Sequence, residues 1–241
     1  MNSILETVSA DIDATLSATW STRDGRVVPE NDDLTLKNDR VEVEAVVLYA
    51  DLADSTEFAI RSQETAAEFF KCYLNGVGKI IRLCEGEVRS FDGDRVMGVF
   101  LGDLKNTNAA RCGLHINYFF KDILVAKFRG FYSMLQNNTF TQTVGIDRSS
   151  IHVVRAGVRN SNDLIWVGRA PNVAAKLSSI RNDKYATIIT ADVYRAMADA
   201  SKISMSNGNP PNTDMWTELS WNDGLKYGVP TVYGSGWWWR R

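Results

Sequence analysis

Asp51 and Asp94 are the residues for which a chemical role is most easily written. Asp51 ends an apolar run, Glu44 to Ala50 (EAVVLYA), with the length and the valine and tyrosine content of a buried strand. Asp94 lies in Asp92-Gly93-Asp94-Arg95, between the short runs Glu87–Phe91 and Val96–Phe100. An Asp-Gly pair in that position signals a hairpin. If the strand and the hairpin are neighbours in one sheet, both carboxylates meet at one edge. Two hard oxygen ligands so placed suit Mg²⁺ or Mn²⁺. In a two-ion site the ions sit roughly 3.5–4 Å apart. One can acidify an attacking hydroxyl while the other holds a triphosphate. The segment Leu52-Ala53-Asp54-Ser55-Thr56 offers backbone N–H groups and hydroxyls to phosphates near a helix start. Each aspartate also has an ordinary reading as a turn former or helix cap, and spacing alone does not choose.

These residues need a frame. Ile4, Val8, Ile12 and Leu16 are spaced by four and predict a short amphipathic helix, packed on the body or on a partner chain. Residues 21–40 are polar and read as a loop or linker, so residues 1–40 precede a body at 41–241. Helical spacing of apolar residues runs over 62–84, stopped by Gly86, and again over 106–128. Residues 129–148 read as an irregular polar connection. Ile151–Val158 and Asp163–Val167 predict a second hairpin, turning through Arg159-Asn160-Ser161-Asn162. A helix around Pro171, a strand at Tyr185–Thr190 and a helix at Ala191–Ala200 follow. The order predicts an antiparallel-rich α+β sheet with helices covering one face.

Composition narrows the function. The 241 residues carry 27 basic and 29 acidic side chains, a net charge of -2, so no general nucleic-acid binding is expected. The aromatic tail at Trp237–Arg241 is the one local candidate for such a face, and it more simply packs on the body or a partner. No apolar run approaches the roughly 20 residues of a membrane span, and the N-terminus lacks a secretory pattern. Cys72, Cys84 and Cys112 have no metal-ligand spacing and read as reduced thiols, with a cytoplasmic location as the default. His115 and His152 pair with no nucleophile and receive no catalytic role.

Three stretches together resemble the class III adenylate/guanylate cyclases. Val47-Leu48-Tyr49-Ala50-Asp51-Leu52-Ala53-Asp54-Ser55-Thr56 is similar to the family strand of form F-x-D-I-x-G-[SF]-T. Phe91 to Phe100 resembles the G-D hairpin and its apolar second strand. Trp166 to Leu177 (WVGRAPNVAAKL) resembles W-G-x-x-V-N-x-A-x-R-[ML]. They occur in family order over about residues 41–190. The resemblance implies a ferredoxin-like α+β catalytic domain that closes a nucleoside triphosphate into a cyclic monophosphate. It implies two divalent ions on Asp51 and Asp94, with the Leu52 carbonyl as a further ligand. The family's transition-state asparagine and arginine fall on Asn172 and Lys176. Their i,i+4 spacing puts both on one helix face, and lysine keeps the charge but loses the bidentate fork. In that family this pair comes from the opposite subunit, so a homodimer with composite sites is implied.

The base-reading positions depart from the purine pattern. Ser90, with Arg89 beside it, stands where Lys or Glu is usual, and Ile165 stands where Asp, Thr or Cys is usual. Tyr49 shares a strand face with Asp51 and would narrow the pocket. The chain, with its GRAPNVAAKLS stretch, looks like the bacterial pyrimidine cyclases of anti-phage defence. The resemblance implies cyclic UMP or cyclic CMP as product, leaning to cyclic UMP, and a separate effector protein that the product activates. A purine cyclase, and a module that binds nucleotide without turnover, are the alternatives. Asp54, where the family has glycine, either caps the next helix or faces the phosphates.

Overall fold

The computed structural model describes residues 3–205 and 211–240. Helix α1 (Ile4–Ser17) forms as its spacing predicts, with Ser3 accepting the Glu6 amide as its N-cap. None of its side chains is buried, so the stripe Ile4, Val8, Ile12 and Leu16 does not pack on the body. The next segment corrects the expectation of a loop. Strand β1 (Ser21–Asp24) pairs in parallel with the start of β2 (Asp39–Leu52), and Val28 and Leu34 bury beneath it. The sheet therefore runs across the expected boundary at residue 40. All four β1 side chains are exposed, so the pairing is carried by backbone hydrogen bonds and leaves no apolar pattern to read.

Strand β2 explains why EAVVLYA is almost continuously apolar. Val41, Val43, Ala45 and Val47 enter one core, while Val46, Leu48, Ala50 and Leu52 enter another on the opposite face. After it come α2 (Ser55–Arg61), α3 (Gln63–Leu83), β3 (Glu87–Asp92), β4 (Arg95–Phe100) and α4 (Lys105–Tyr118). A π-helical stretch, Phe119–Val125, leads into α5 (Ala126–Phe131). The chain then forms β5 (Gln142–Val158), β6 (Ser161–Gly168), α6 (Arg169–Ser178), β7 (Thr187–Thr190), α7 (Ala191–Ala196), β8 (Thr217–Ser220) and β9 (Thr231–Ser235). Among the described residues the strands make one mixed sheet of nine, in the order β3-β4-β2-β5-β7-β9-β8, with β1 on β2 and β6 on β5.

Helices cover both faces of this sheet rather than one. Phe69, Tyr73, Val77 and Ile81 of α3 and Ala109, Cys112 and Ile116 of α4 fill the first core. Full burial of each large apolar side chain contributes about 1.5–3 kcal/mol. Ala170 and Ala174 place α6 on the other face. Gly145 of β5 permits that approach: a Cβ there would lie 2.2 Å from the Ala174 carbonyl oxygen and 2.4 Å from the Ser178 nitrogen. Two further corrections concern strands. Residues 142–148, expected as irregular, are the first half of β5, and the β8–β9 pair was not foreseen.

Candidate active site

The antiparallel register of β2 and β4 sets Asp51 opposite Arg95, and Asp92 opposite Arg95 closes the β3–β4 turn over Gly93 and Asp94. Gly93 supplies a φ of 59°, the left-handed value such a turn requires. Asp51 and Asp94 thereby line one open cleft, together with Leu52, Ser55 and Thr56. Asp51 is only 4% exposed. Its Oδ2 accepts from Arg95 Nη2 at 3.4 Å and from Arg181 Nη2 at 3.0 Å. The same Arg181 Nη2 reaches the Leu52 carbonyl at 3.3 Å. Arg181 was not singled out in the sequence: it lies in the loop after α6, and its partner stands 130 positions away.

The donor set fits a small divalent ion. Among the described residues no cluster of three or more His, Cys, Asp or Glu side chains gathers. Asp51, Asp94 and the Leu52 carbonyl instead offer hard oxygens only, which suits Mg²⁺ or Mn²⁺ completed by water and phosphate oxygens. The Ala53 N–H, expected as a donor to phosphate, is already engaged by the Thr141 carbonyl at 3.0 Å. Ser55 and Thr56 open α2, where first-turn amides lack partners within the helix.

Asp54 precedes α2 with a φ of 55° and makes no side-chain cap bond. Side-chain capping, one of the two roles expected for it, is therefore absent. Its carboxylate lines the cleft instead. Glycine adopts this backbone region without the cost that other residues meet. Asp54→Gly is expected to leave thermal stability nearly unchanged, since no cap bond is lost, and to keep turnover within about tenfold, since it removes only a carboxylate that would repel the triphosphate. A loss beyond a hundredfold in a folded variant, by circular dichroism and initial rates, would give Asp54 a direct part in the reaction.

Asn172 and Lys176 do share one face of α6, but in a single chain they line a second cleft, with Trp221, Asp223 and Lys226. Arg95 borders both clefts. The Asn172 amide donates to the Gly168 carbonyl at 2.9 Å, and the Lys176 ammonium lies 5.5 Å from the centre of the Tyr227 ring. The helix is anchored at its first residue. Arg169 places Nε and Nη2 on the two oxygens of buried Asp147, at 3.1 and 3.2 Å, and Nη2 also on Asp192 at 2.7 Å.

A chain from Xanthomonas perforans, a uridylate cyclase, is 40% identical over 225 residues, covering 92% of this chain and 91% of its own length. A uridylate cyclase from Rhodovulum sp. (strain MB263) is 36% identical over 239 residues, covering 98% and 97%. The chain belongs to the uridylate cyclase family. The adenylyl cyclase CyaB from P. aeruginosa has the same fold at a TM-score of 0.61 and 19% identity, covering 81% of this chain and 95% of that one. No family model matches. The nine-stranded sheet is thus a class III cyclase catalytic fold, and the protein is a nucleotide cyclase.

In this cyclase the positions expected to read the base do not all converge. Tyr49, Met97 and Ser90 form one row across β2, β4 and β3. The Tyr49 hydroxyl donates to Met97 Sδ at 3.2 Å, a weak acceptor. Burial pushes the phenol above its ordinary pKa, so it stays a donor at neutral pH. Arg89 is engaged by the backbone: its Nη1 donates to the Pro29 carbonyl at 2.7 Å. Exposed Ile165 pairs with Val154 near the far end of β5, whereas Tyr49 pairs with Gly145. Within one chain, Ile165 therefore lies off the Tyr49 row.

The remaining candidates take structural places. Trp237 and Trp239 pack on the first core, and α4 clasps the tail through Asn117 to the Trp237 carbonyl at 2.8 Å and His115 to the Trp239 carbonyl at 2.8 Å. Arg241 lies outside the described residues. His152 pairs with Glu42 at 3.4 Å. Among the described residues, no helix is long and apolar enough to cross a membrane.

Proposed function

We propose that the cyclase converts UTP to 3′,5′-cyclic UMP and pyrophosphate, as a homodimer with composite sites. The observation that carries the base is the pair of relatives named uridylate cyclases, matched over nearly their whole length at 36% and 40% identity. Asp51, Asp94 and the Leu52 carbonyl would hold two divalent ions, Mn²⁺ or Mg²⁺. Bound there, the ions lower the pKa of the ribose 3′-hydroxyl and neutralise triphosphate charge. Asp51 and Asp94 would act on the triphosphate only through those ions, and Ser55 and Thr56 would donate to its oxygens. The 3′-hydroxyl gives up its proton to solvent, its oxygen bonds to the α-phosphorus, the bond to the α–β bridging oxygen breaks, and pyrophosphate leaves with that electron pair. The nucleophile belongs to the substrate, so the protein need not supply one.

Asn172 and Lys176 line a separate cleft in one chain, which supports their delivery to the carboxylates of a second copy. There Asn172 would orient the ribose and Lys176 would meet charge growing on the phosphorus. Ser90 and Ile165 stand where a purine-reading pair is usual, and Tyr49, in one row with Ser90 across Met97, would narrow the base pocket and offer a hydroxyl to a uracil carbonyl. The product would act as a second messenger on a separate effector in defence against phage, as the sequence resemblance implies. Incubation with Mn²⁺ and each of ATP, GTP, CTP and UTP, read by mass spectrometry, tests the base. Cyclic UMP as main product is expected. Cyclic CMP would move the reading to a cytidylate cyclase, a purine product would remove the role given to Tyr49 and Ser90, and bound but unchanged UTP would make the protein a binding module.

A further inference from the structure

We propose that Arg181 is a resident cation that closes Asp51 and the Leu52 carbonyl in the resting site and yields both oxygens when a divalent ion binds. The inference rests on the reading of Asp51 as a cation ligand. It starts from a coincidence of atoms. Arg181 Nη2 touches Asp51 Oδ2 at 3.0 Å and the Leu52 oxygen at 3.3 Å, the two neighbouring donors assigned to the metal. A carboxylate as buried as Asp51 is costly without a counter-charge. Arg181, with Arg95 at 3.4 Å, supplies one. A guanidinium and a divalent ion on the same oxygens repel, so both cannot stay.

The contact is built to be exchanged. One nitrogen bridges two acceptors, rather than two nitrogens gripping one carboxylate, and the arginine side chain is 42% exposed. Arg169 on Asp147 shows the other arrangement, with two nitrogens on a fully buried carboxylate. Arg181 also keeps a second hold: Nη1 donates to the Ser178 carbonyl at 2.8 Å, at the C-terminus of α6 where a positive charge is favoured. On yielding Asp51 the guanidinium therefore stays tethered at the rim of the cleft it lines with Ser55 and Thr56. There it faces the triphosphate and adds an arginine from the same chain as the carboxylates, in a protein that carries lysine at 176.

The two halves of the inference have opposite signs, and that makes the test specific. Mn²⁺ binding to the nucleotide-free protein is measured by electron paramagnetic resonance of the free ion, for wild type, Asp51→Asn, Arg181→Gln and Arg181→Lys. Removal of the competing charge is expected to tighten Mn²⁺ binding by about tenfold in Arg181→Gln, while turnover at saturating Mn²⁺ falls. A residue that merely holds the fold would weaken both. Arg181→Lys, the variant closer to wild type, should move both quantities the same way by a smaller factor, because an ammonium does not span the two oxygens as a guanidinium does. Mn²⁺ binding unchanged or weaker in both Arg181 variants, with binding lost in Asp51→Asn, overturns the inference and leaves the metal reading standing. Equal binding by wild type and Asp51→Asn overturns both.

Discussion

Asp51→Asn and Asn172→Ala, each inactive alone, should together regain about a quarter of wild-type turnover when their subunits are mixed in equal amounts. The first variant removes the charge of the most buried carboxylate in the cleft, and the second removes the amide that a partner would bring. Each loss is expected to be about a thousandfold for Asp51→Asn, or ~4 kcal/mol of transition-state stabilisation, and about a hundredfold or more for Asn172→Ala. In a head-to-tail dimer each site takes its carboxylates from one subunit and its α6 pair from the other. Half of a random mixture is heterodimer, and each heterodimer has one site with both defects and one with neither. The expected recovery is therefore about one quarter, read as initial rates after subunit exchange and checked by dimer mass. No recovery in a confirmed heterodimer would put both sets of residues in one subunit's site. The result bears directly on the two clefts that flank Arg95, since one chain does not close them into one.

Asp147→Ala should be the most destabilising single change around α6. The carboxylate is 0% exposed, and it accepts from Arg169 twice and from the Thr190 hydroxyl at 2.7 Å. Burial lifts its carboxyl above the usual range even though Thr190 and Arg169 pull the other way. Burial works against the charge of Arg169, but its bonds to Asp192 and Asp147 together outweigh that and hold its pKa above the ordinary value. Arg169 keeps Asp192, so the loss is chiefly the buried Thr190 hydroxyl left without its acceptor, about 1–3 kcal/mol. For a chain of this size that lowers Tm by roughly 2–12 °C, measurable by scanning calorimetry. Asp147→Asn, which keeps an acceptor for Thr190, should lose less. Because Arg169 begins the helix that carries Asn172 and Lys176, any folded remainder should also turn over more slowly. A Tm within a degree or two of wild type would mean that Arg169 and Asp192 hold α6 without Asp147.

Much of this catalytic unit is local, and what is local can be read along the chain. The alternate burial of Val46, Leu48, Ala50 and Leu52 against Val41, Val43, Ala45 and Val47 fills both faces of β2, so the strand announces itself as an apolar run ending at Asp51. The hairpin at Gly93 needs one left-handed residue, and glycine marks it. Helix α3 shows its period because one side only is buried. Asn172 and Lys176 fall on one side of α6 because four residues make about one turn.

What failed to show in the sequence depends on distant partners. Strand β1 has four exposed side chains and exists through backbone pairing with β2. The first half of β5, residues 142–148, is specified by the seven facing residues 46–52 of β2, not by alternation of its own. Placement of α6 on the second face needs Gly145 to be bare where Ala174 and Ser178 approach. The sequence alone determined the two carboxylates, their strand and hairpin, the asparagine and lysine one helical turn apart, and the family that they resemble. The tertiary structure decided which groups those carboxylates meet. Arg181 reaches Asp51 across 130 positions, and Arg169 reaches Asp147 across 22, because sheet pairing and helix packing bring those chain segments together. No periodicity records such contacts: charge attraction needs proximity in space, and proximity is fixed only when the whole sheet has closed.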